Sequence, residues 1–179
     1  MNYKKLYEIE VKKNNDLLKQ IGSLMQFAYT DELTGTYNRY GMKKRLNETK
    51  KPYCLLFIDL DNFKLINDTY GHICGDKILI TITKLISENI SDNDFIARVG
   101  GDEFVIFFED TNVDNIYNLG MSIKDQIKQI KNPLESTLSF SGGLALYRQT
   151  EDILEAIKKI DSALYQSKKD GKDKITIIK

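Results

Sequence analysis

Tryptophan is absent, and the 179 residues include only two cysteines, two prolines and one histidine. Cys54 and Cys74 lack metal-type spacing and have only His72 for company, which argues against a zinc site. With only Pro52 and Pro133 and no Gly/Ser-rich tract, no flexible linker of the usual composition divides the chain, and no internal repeat is visible. Net charge is missing too: 26 Lys and Arg face 26 Asp and Glu. No overall basic field gathers nucleic acid or anionic lipid, so DNA and RNA are not expected partners. The longest uncharged apolar stretches, Tyr53 to Ile58 and Ile78 to Thr83, are far shorter than the roughly 18 residues that span a bilayer. The first fifteen residues contain no continuous apolar run of the secretory type, so neither a membrane segment nor a signal is expected, and the compartment reads as cytoplasm.

What is present is an ordinary globular composition, 41% apolar and 29% charged, enough for one well-filled core and a short appendage. Leu6, Val11, Leu17, Leu18, Ile21, Leu24, Met25 and Ala28 recur at spacings of three, four and seven, which predicts a helix over about 1–28 with one apolar stripe. That stripe either pairs with a second copy or lies on its own domain. Tyr53 to Ile58 is continuously apolar and stops in Asp59-Leu-Asp61, a buried strand that delivers carboxylates to its end. A helix is expected to begin near Asp76, followed by the hairpin Phe95–Val99, Gly100-Gly101, Glu103–Phe108. A helix containing Ile116 to Ile130 and ended by Pro133 comes next, then a strand over 138–147 with a glycine break at Gly142-Gly143. A helix over 153–169 and a closing strand over 175–178 complete the order. A hairpin set among alternating elements predicts an α/β (α+β) fold whose mixed, mostly antiparallel central sheet is flanked by helices.

Two acidic clusters carry the chemical interest: Asp59 with Asp61 at a strand end, and Asp102-Glu103 directly after the Gly100-Gly101 turn. If the hairpin pairs beside the Asp59 strand, the carboxylates meet, and two such charges at about 4 Å repel by roughly 4 kcal/mol at an effective dielectric of 20. Protonation of one carboxyl relieves that repulsion and a divalent cation relieves it better; carboxylate oxygens are the ligands magnesium takes while keeping positions open for substrate phosphates. Glycines at 100 and 101 would let a triphosphate approach the backbone.

Arg98-Val-Gly-Gly-Asp-Glu-Phe104 resembles the signature of GGDEF-domain diguanylate cyclases. Companions stand in the family's order: Asp31-Glu-Leu-Thr-Gly-Thr-Tyr-Asn-Arg39, Phe57 to Asp68, Gly71-His72, Gly75-Asp76, and Ala163-Leu-Tyr165 with Lys168 and Gly171-Lys172. The resemblance covers about residues 29 to 179, leaving 1–28 as a helical linker or dimerisation segment. It implies a nucleotidyl-cyclase, palm-like catalytic domain that condenses two GTP into cyclic di-GMP and two pyrophosphates across a homodimer. It further implies two Mg2+ ions per site, with Mn2+ as the alternative, held by Asp59, Asp102, Glu103 and the Leu60 carbonyl. Asp102 and Glu103 are the implied catalytic residues. Asn67 and Asp76 match the guanine-reading positions, and Phe63, Lys64, Gly100, Gly101, Lys168 and Lys172 complete the implied substrate-binding set. The entering helix resembles a linker that relays a signal from an upstream sensor, so either such a sensor, if the chain is a fragment, or dimerisation alone is the implied control. A carboxylate such as Asp76 can accept from guanine N1–H and the exocyclic amine, whereas adenine N1 would face it with a lone pair.

The chain departs from the family pattern at Thr36, where leucine is usual, at Ile160, where alanine is usual, and in two motifs that bear on binding. Where many members carry Arg-x-x-Asp as a product-inhibition site, this chain has Ser91-Asp-Asn-Asp94, so the bidentate guanidinium fork is lost. Gly171-Lys-Asp173 replaces the usual Gly-Arg-Asn.

Overall fold

The computed structural model describes residues 3–48, 51–131, 137–148 and 152–178. Its first element is α1, Tyr3–Tyr29, a continuous 27-residue helix. Ile9, Leu17, Leu18, Ile21, Leu24 and Phe27 are all exposed, so α1 does not lie on its own domain. Its C-terminal end is anchored where Tyr29 stacks on Tyr40 with ring centroids 5.4 Å apart. The Leu6 side chain lies outside the described residues, as does Pro133.

Helix α2, Arg39–Glu48, follows and was not foreseen, because Met42 and Leu46 are its only large buried side chains among basic and polar neighbours. Strand β1, Tyr53–Leu60, is buried at all eight positions, as a continuously apolar central strand should be. Then come α3, Phe63–Tyr70, and α4, His72–Asn89. Helix α3 was also unexpected, and α4 begins at His72 rather than near Asp76. Gly71, at φ +80°, separates the two helices, a backbone angle that a side chain would resist. Asp76 therefore sits a turn inside α4 and does not cap it.

The hairpin is β2, Phe95–Arg98, with β3, Glu103–Phe108. Helix α5, Val113–Lys128, is capped by the Asn112 side chain, which accepts from Asp114 N and Asn115 N. Strand β4, Phe140–Tyr147, runs unbroken through Gly142 and Gly143, contrary to the expected break. Helix α6, Ile153–Lys169, and the short β5, Ile175–Ile177, close the fold.

The sheet order is β2-β3-β1-β4-β5, antiparallel throughout except for the parallel β4–β5 pair. Alternation along β1 sends Cys54, Leu56, Ile58 and Leu60 toward α3, α4 and α5, where they pack with Ile66, Ile82, Ile123 and Ile127. Tyr53, Leu55 and Phe57 face α2 and α6, against Met42, Ile160 and Leu164. Three layers result, with the sheet in the middle. Gly143 is where α6 comes closest: a Cβ there would collide with the Ile160 carbonyl.

Candidate active site

The acidic strand end forms as expected. Asp59 at the end of β1 lies in register with Glu103 of β3 on one side and Ser141 of β4 on the other. Leu60 N donates to the Asp102 carbonyl at 3.2 Å, which joins the signature turn to the β1 end. Asp59 is only 7% exposed. Burial, with the nearby charges of Asp102 and Glu103, lifts its carboxyl above the ordinary aspartate value, against the lowering pull of Lys168. Lys168, in the last turn of α6, places Nζ 2.6 Å from Asp59 Oδ2. An ammonium thus stands where the cluster asks for a cation, and the donor set suits a hard divalent ion. Among the described residues no three acidic, His or Cys side chains are already gathered as ligands. The Glu103 side chain folds back over Gly100, where a Cβ would overlap it, and Gly101 faces open space. Gly100 has no positive φ, and the atoms nearest a Cβ there all belong to the Glu103 side chain.

Asn62 follows Asp61 with φ +59°, and Lys172 and Asp173 adopt φ +64° and +51°. Left-handed conformations at non-glycine residues cost on the order of 1–2 kcal/mol each and are held by their surroundings. Here Lys172 Nζ donates to Asn62 Oδ1 at 2.7 Å, and Asp173 N donates to Asp61 Oδ2 at 3.1 Å. Asp61, itself 7% exposed, accepts from Ser139 Oγ and Ser141 Oγ at 2.7 Å each. Both phosphate-binding candidates of the C-terminal segment therefore point at the β1 end, whereas Lys64 is exposed on α3.

The guanine-reading candidates flank Gly75. Asn67 Oδ1 is buried without a hydrogen-bond partner, directly against Gly75, where any Cβ would overlap it. Asp76 is exposed on the next position of α4. Phe63 is 6% exposed and packs its ring beneath Gly75 as part of the core. His72 is exposed at the start of α4.

Three residues that sequence reasoning left without a role fasten the signature turn. Arg98 donates from Nη2 and Nε to the Gly101 carbonyl, at 2.6 and 3.1 Å. Its Nη1 donates to both Asp31 oxygens at 3.0 and 3.2 Å. Arg39 Nε donates to the Val99 carbonyl. Arg98, Asp31 and Arg39 lie inside the motifs quoted above, so their position was visible and their partners were not. The segment is tied in turn to α1, since Asn38 Nδ2 donates to the Ala28 and Thr30 carbonyls.

A five-stranded mixed sheet with carboxylates at the β1 end, beside a glycine turn and two lysines, is a nucleotidyl-cyclase, palm-like arrangement. The chain belongs to the GGDEF-domain family of diguanylate cyclases, whose family model matches residues 28–174. A curated diguanylate cyclase of Vibrio cholerae serotype O1 is 34% identical over 176 residues, covering 90% of this chain and 53% of the relative. This chain thus spans about half the length of that relative. The coiled coil and GGDEF domain of DgcB from Caulobacter crescentus, solved with c-di-GMP, share the fold with a TM-score of 0.88 over 99% of this chain and 100% of that one, at 24% identity. The active GGEEF domain of a Vibrio cholerae diguanylate cyclase gives a TM-score of 0.66 at 33% identity, over 78% of this chain and 89% of that one.

Proposed function

We propose that residues 29–179 are a diguanylate cyclase domain that condenses two GTP into cyclic di-GMP and two pyrophosphates, and that residues 1–28 bring two such half-sites together. Each 3′-oxygen attacks the α-phosphorus of the opposite GTP, the bond to pyrophosphate breaks, and the hydroxyl proton is taken up at the Asp102 carboxylate or by solvent. The observation that carries this reading is the register of Asp59 against Glu103, with Asp102 in the turn between strands and the Lys168 ammonium already on Asp59. Mg2+, or Mn2+ in its place, held by Asp59, Asp102, Glu103 and the Leu60 carbonyl, would supply polarisation of the α-phosphate and a lowered pKa for the attacking hydroxyl.

The chain's own groups do the rest. Lys168 and Lys172, with Lys64 from α3, hold phosphate oxygens and spread the charge of the transition state. Gly101 leaves its outer side clear for the triphosphate. Asn67 Oδ1, costly to leave buried and unpaired by about 1–3 kcal/mol, is satisfied by a donor on a bound purine, and Asp76 accepts from the guanine N1–H and amine. GTP fits and ATP does not, because a carboxylate facing adenine N1 would be left unpaired. The exposed apolar residues of α1 make the homodimer, and α1 is also the route by which an upstream sensor would set half-site separation. The GTP pool places the reaction in the cytoplasm.

Purified dimer given GTP and Mg2+ should form cyclic di-GMP and pyrophosphate, and Asp102→Ala should abolish both products. Absence of product at every protein concentration would overturn the assignment.

A further inference from the structure

One charged group in the core is unused by the proposed chemistry. Lys124 lies on the core-facing stripe of α5 between Ile123 and Ile127, and its side chain is only 5% exposed. A lysine buried this far needs a partner to keep its proton. The partner is Asp173: Lys124 Nζ donates to the Asp173 carbonyl at 2.7 Å and lies 3.1 Å from Oδ1. Lys128, one helical turn on, reaches Oδ2 at 2.6 Å. Burial raises the Asp173 pKa, but the two lysines outweigh it and hold the carboxyl below its ordinary value. Asp173 is the third of three consecutive residues at positive φ, after Gly171 at +102° and Lys172 at +64°. Its amide is fixed to Asp61 and its carbonyl and carboxylate to α5, so the left-handed turn is gripped from two elements.

We infer that Lys124 and Asp173 form a positioning pair: the buried ammonium of α5 fixes the left-handed turn and so sets where Lys172 holds substrate phosphate. The inference rests on the diguanylate cyclase reading, from which the phosphate role of Lys172 is taken. Among the described residues, α5 holds the turn through Asp173, beside the bond from Asp173 N to Asp61 and the bonds that Lys172 itself makes. Its backbone N bonds to Ser167 O on α6, while its ammonium must reach the β1 end at Asn62. The pair also accounts for an aspartate where the family pattern has asparagine. A carboxylate at 173 beside Asp61 is tolerable only with the two lysines of α5 facing it. Both lysines bind Asp173 and act through it, so each is a positioning residue.

The test is the affinity for a non-hydrolysable GTP analogue with Mg2+, measured by calorimetry on the full chain. Lys172→Ala should weaken binding about tenfold, and Lys124→Met should do nearly the same. The K124M/K172A double should bind no worse than K172A alone, since Lys124 acts only through Lys172. K124Q/D173N, a neutral pair that still hydrogen-bonds, should return to within about threefold of wild type. A folded K124M with wild-type affinity overturns the pair, as does a roughly hundredfold loss in the K124M/K172A double, the mark of independent effects. If K124M does not fold, D173N carries the same comparison: a loss that disappears in the K172A background supports the pair, and no loss, or one that persists there, overturns it. A wild type that binds no analogue overturns the functional reading and the pair together, a result distinct from an unaltered K124M.

Discussion

Asp31 shows how much one carboxylate can organise. It accepts from Thr34 N and Oγ1 and from Arg98, while Arg98 holds the Gly101 carbonyl. Burial raises the Asp31 pKa, yet the Thr34 and Arg98 hydrogen bonds prevail and keep it below the ordinary aspartate value. A carboxyl lowered in the folded state stabilises above its unfolded pKa and loses that contribution as pH falls through the folded one. Asp31→Asn should therefore cost about 1.5 kcal/mol at neutral pH, and the deficit should shrink toward zero once the wild type is itself protonated. Urea unfolding of both proteins, at neutral pH and again below the folded pKa, checks the sign. Asp94 is similarly committed: Oδ2 accepts from Ser91 N and Oγ, and Oδ1 from Glu109 N. The arginine needed for the family's inhibitory site is absent, and the aspartate that remains already serves the hairpin. Added cyclic di-GMP should therefore leave the initial rate unchanged at low-micromolar concentration, and inhibition in that range that vanishes in Asp94→Ala would contradict this. The carboxylates of the site were legible in the sequence because strand ends and glycine turns mark themselves. Lys124 was not, because a lysine on an apolar stripe reads as solvated until its burial is known.

At the level of elements, β1, the hairpin, α6 and β5 could be read from runs of one period. Helices α2 and α3 could not. Each buries only two large apolar side chains, Met42 and Leu46 in one, Phe63 and Ile66 in the other, too few to set a period against their polar neighbours. The misplaced start of α4 has the same origin: Gly71 ends one helix and begins the next, and an isolated glycine does not announce both. The supposed break at Gly142-Gly143 failed for a different reason. Glycine there reflects contact with α6, which a strand can accommodate without interruption. Gly143→Ala drives a methyl group into the Ile160 carbonyl and close to Leu164 N, and backbone on a long helix yields little. A loss of about 3 kcal/mol is expected from such overpacking. A melting temperature lowered by only a degree or two would show that α6 moves aside more easily than its packing implies.

For the whole molecule, α1 is the part that the domain's own core does not explain. Its apolar residues are exposed along nearly its full length, and such a helix is unstable alone in water. Removing residues 1–28 should convert the protein to monomer at micromolar concentration and lower specific activity at least tenfold, with activity recovering as protein concentration rises. Sedimentation velocity beside a rate-versus-concentration series measures both. A truncated protein that stays dimeric and fully active would assign the dimer contact to the catalytic domain instead.

The two clasps that hold Lys172 and Asp173 against the β1 end join residues 110 and 112 positions apart in sequence. Contacts this distant in sequence close long loops unless intervening strands have already paired. The proposed phosphate-binding turn is therefore completed only once β1 and the C-terminal segment have been brought together. On the proposed reading, partial opening at the C-terminal clasp would end phosphate binding by Lys172 while most of the hydrophobic interior stays intact.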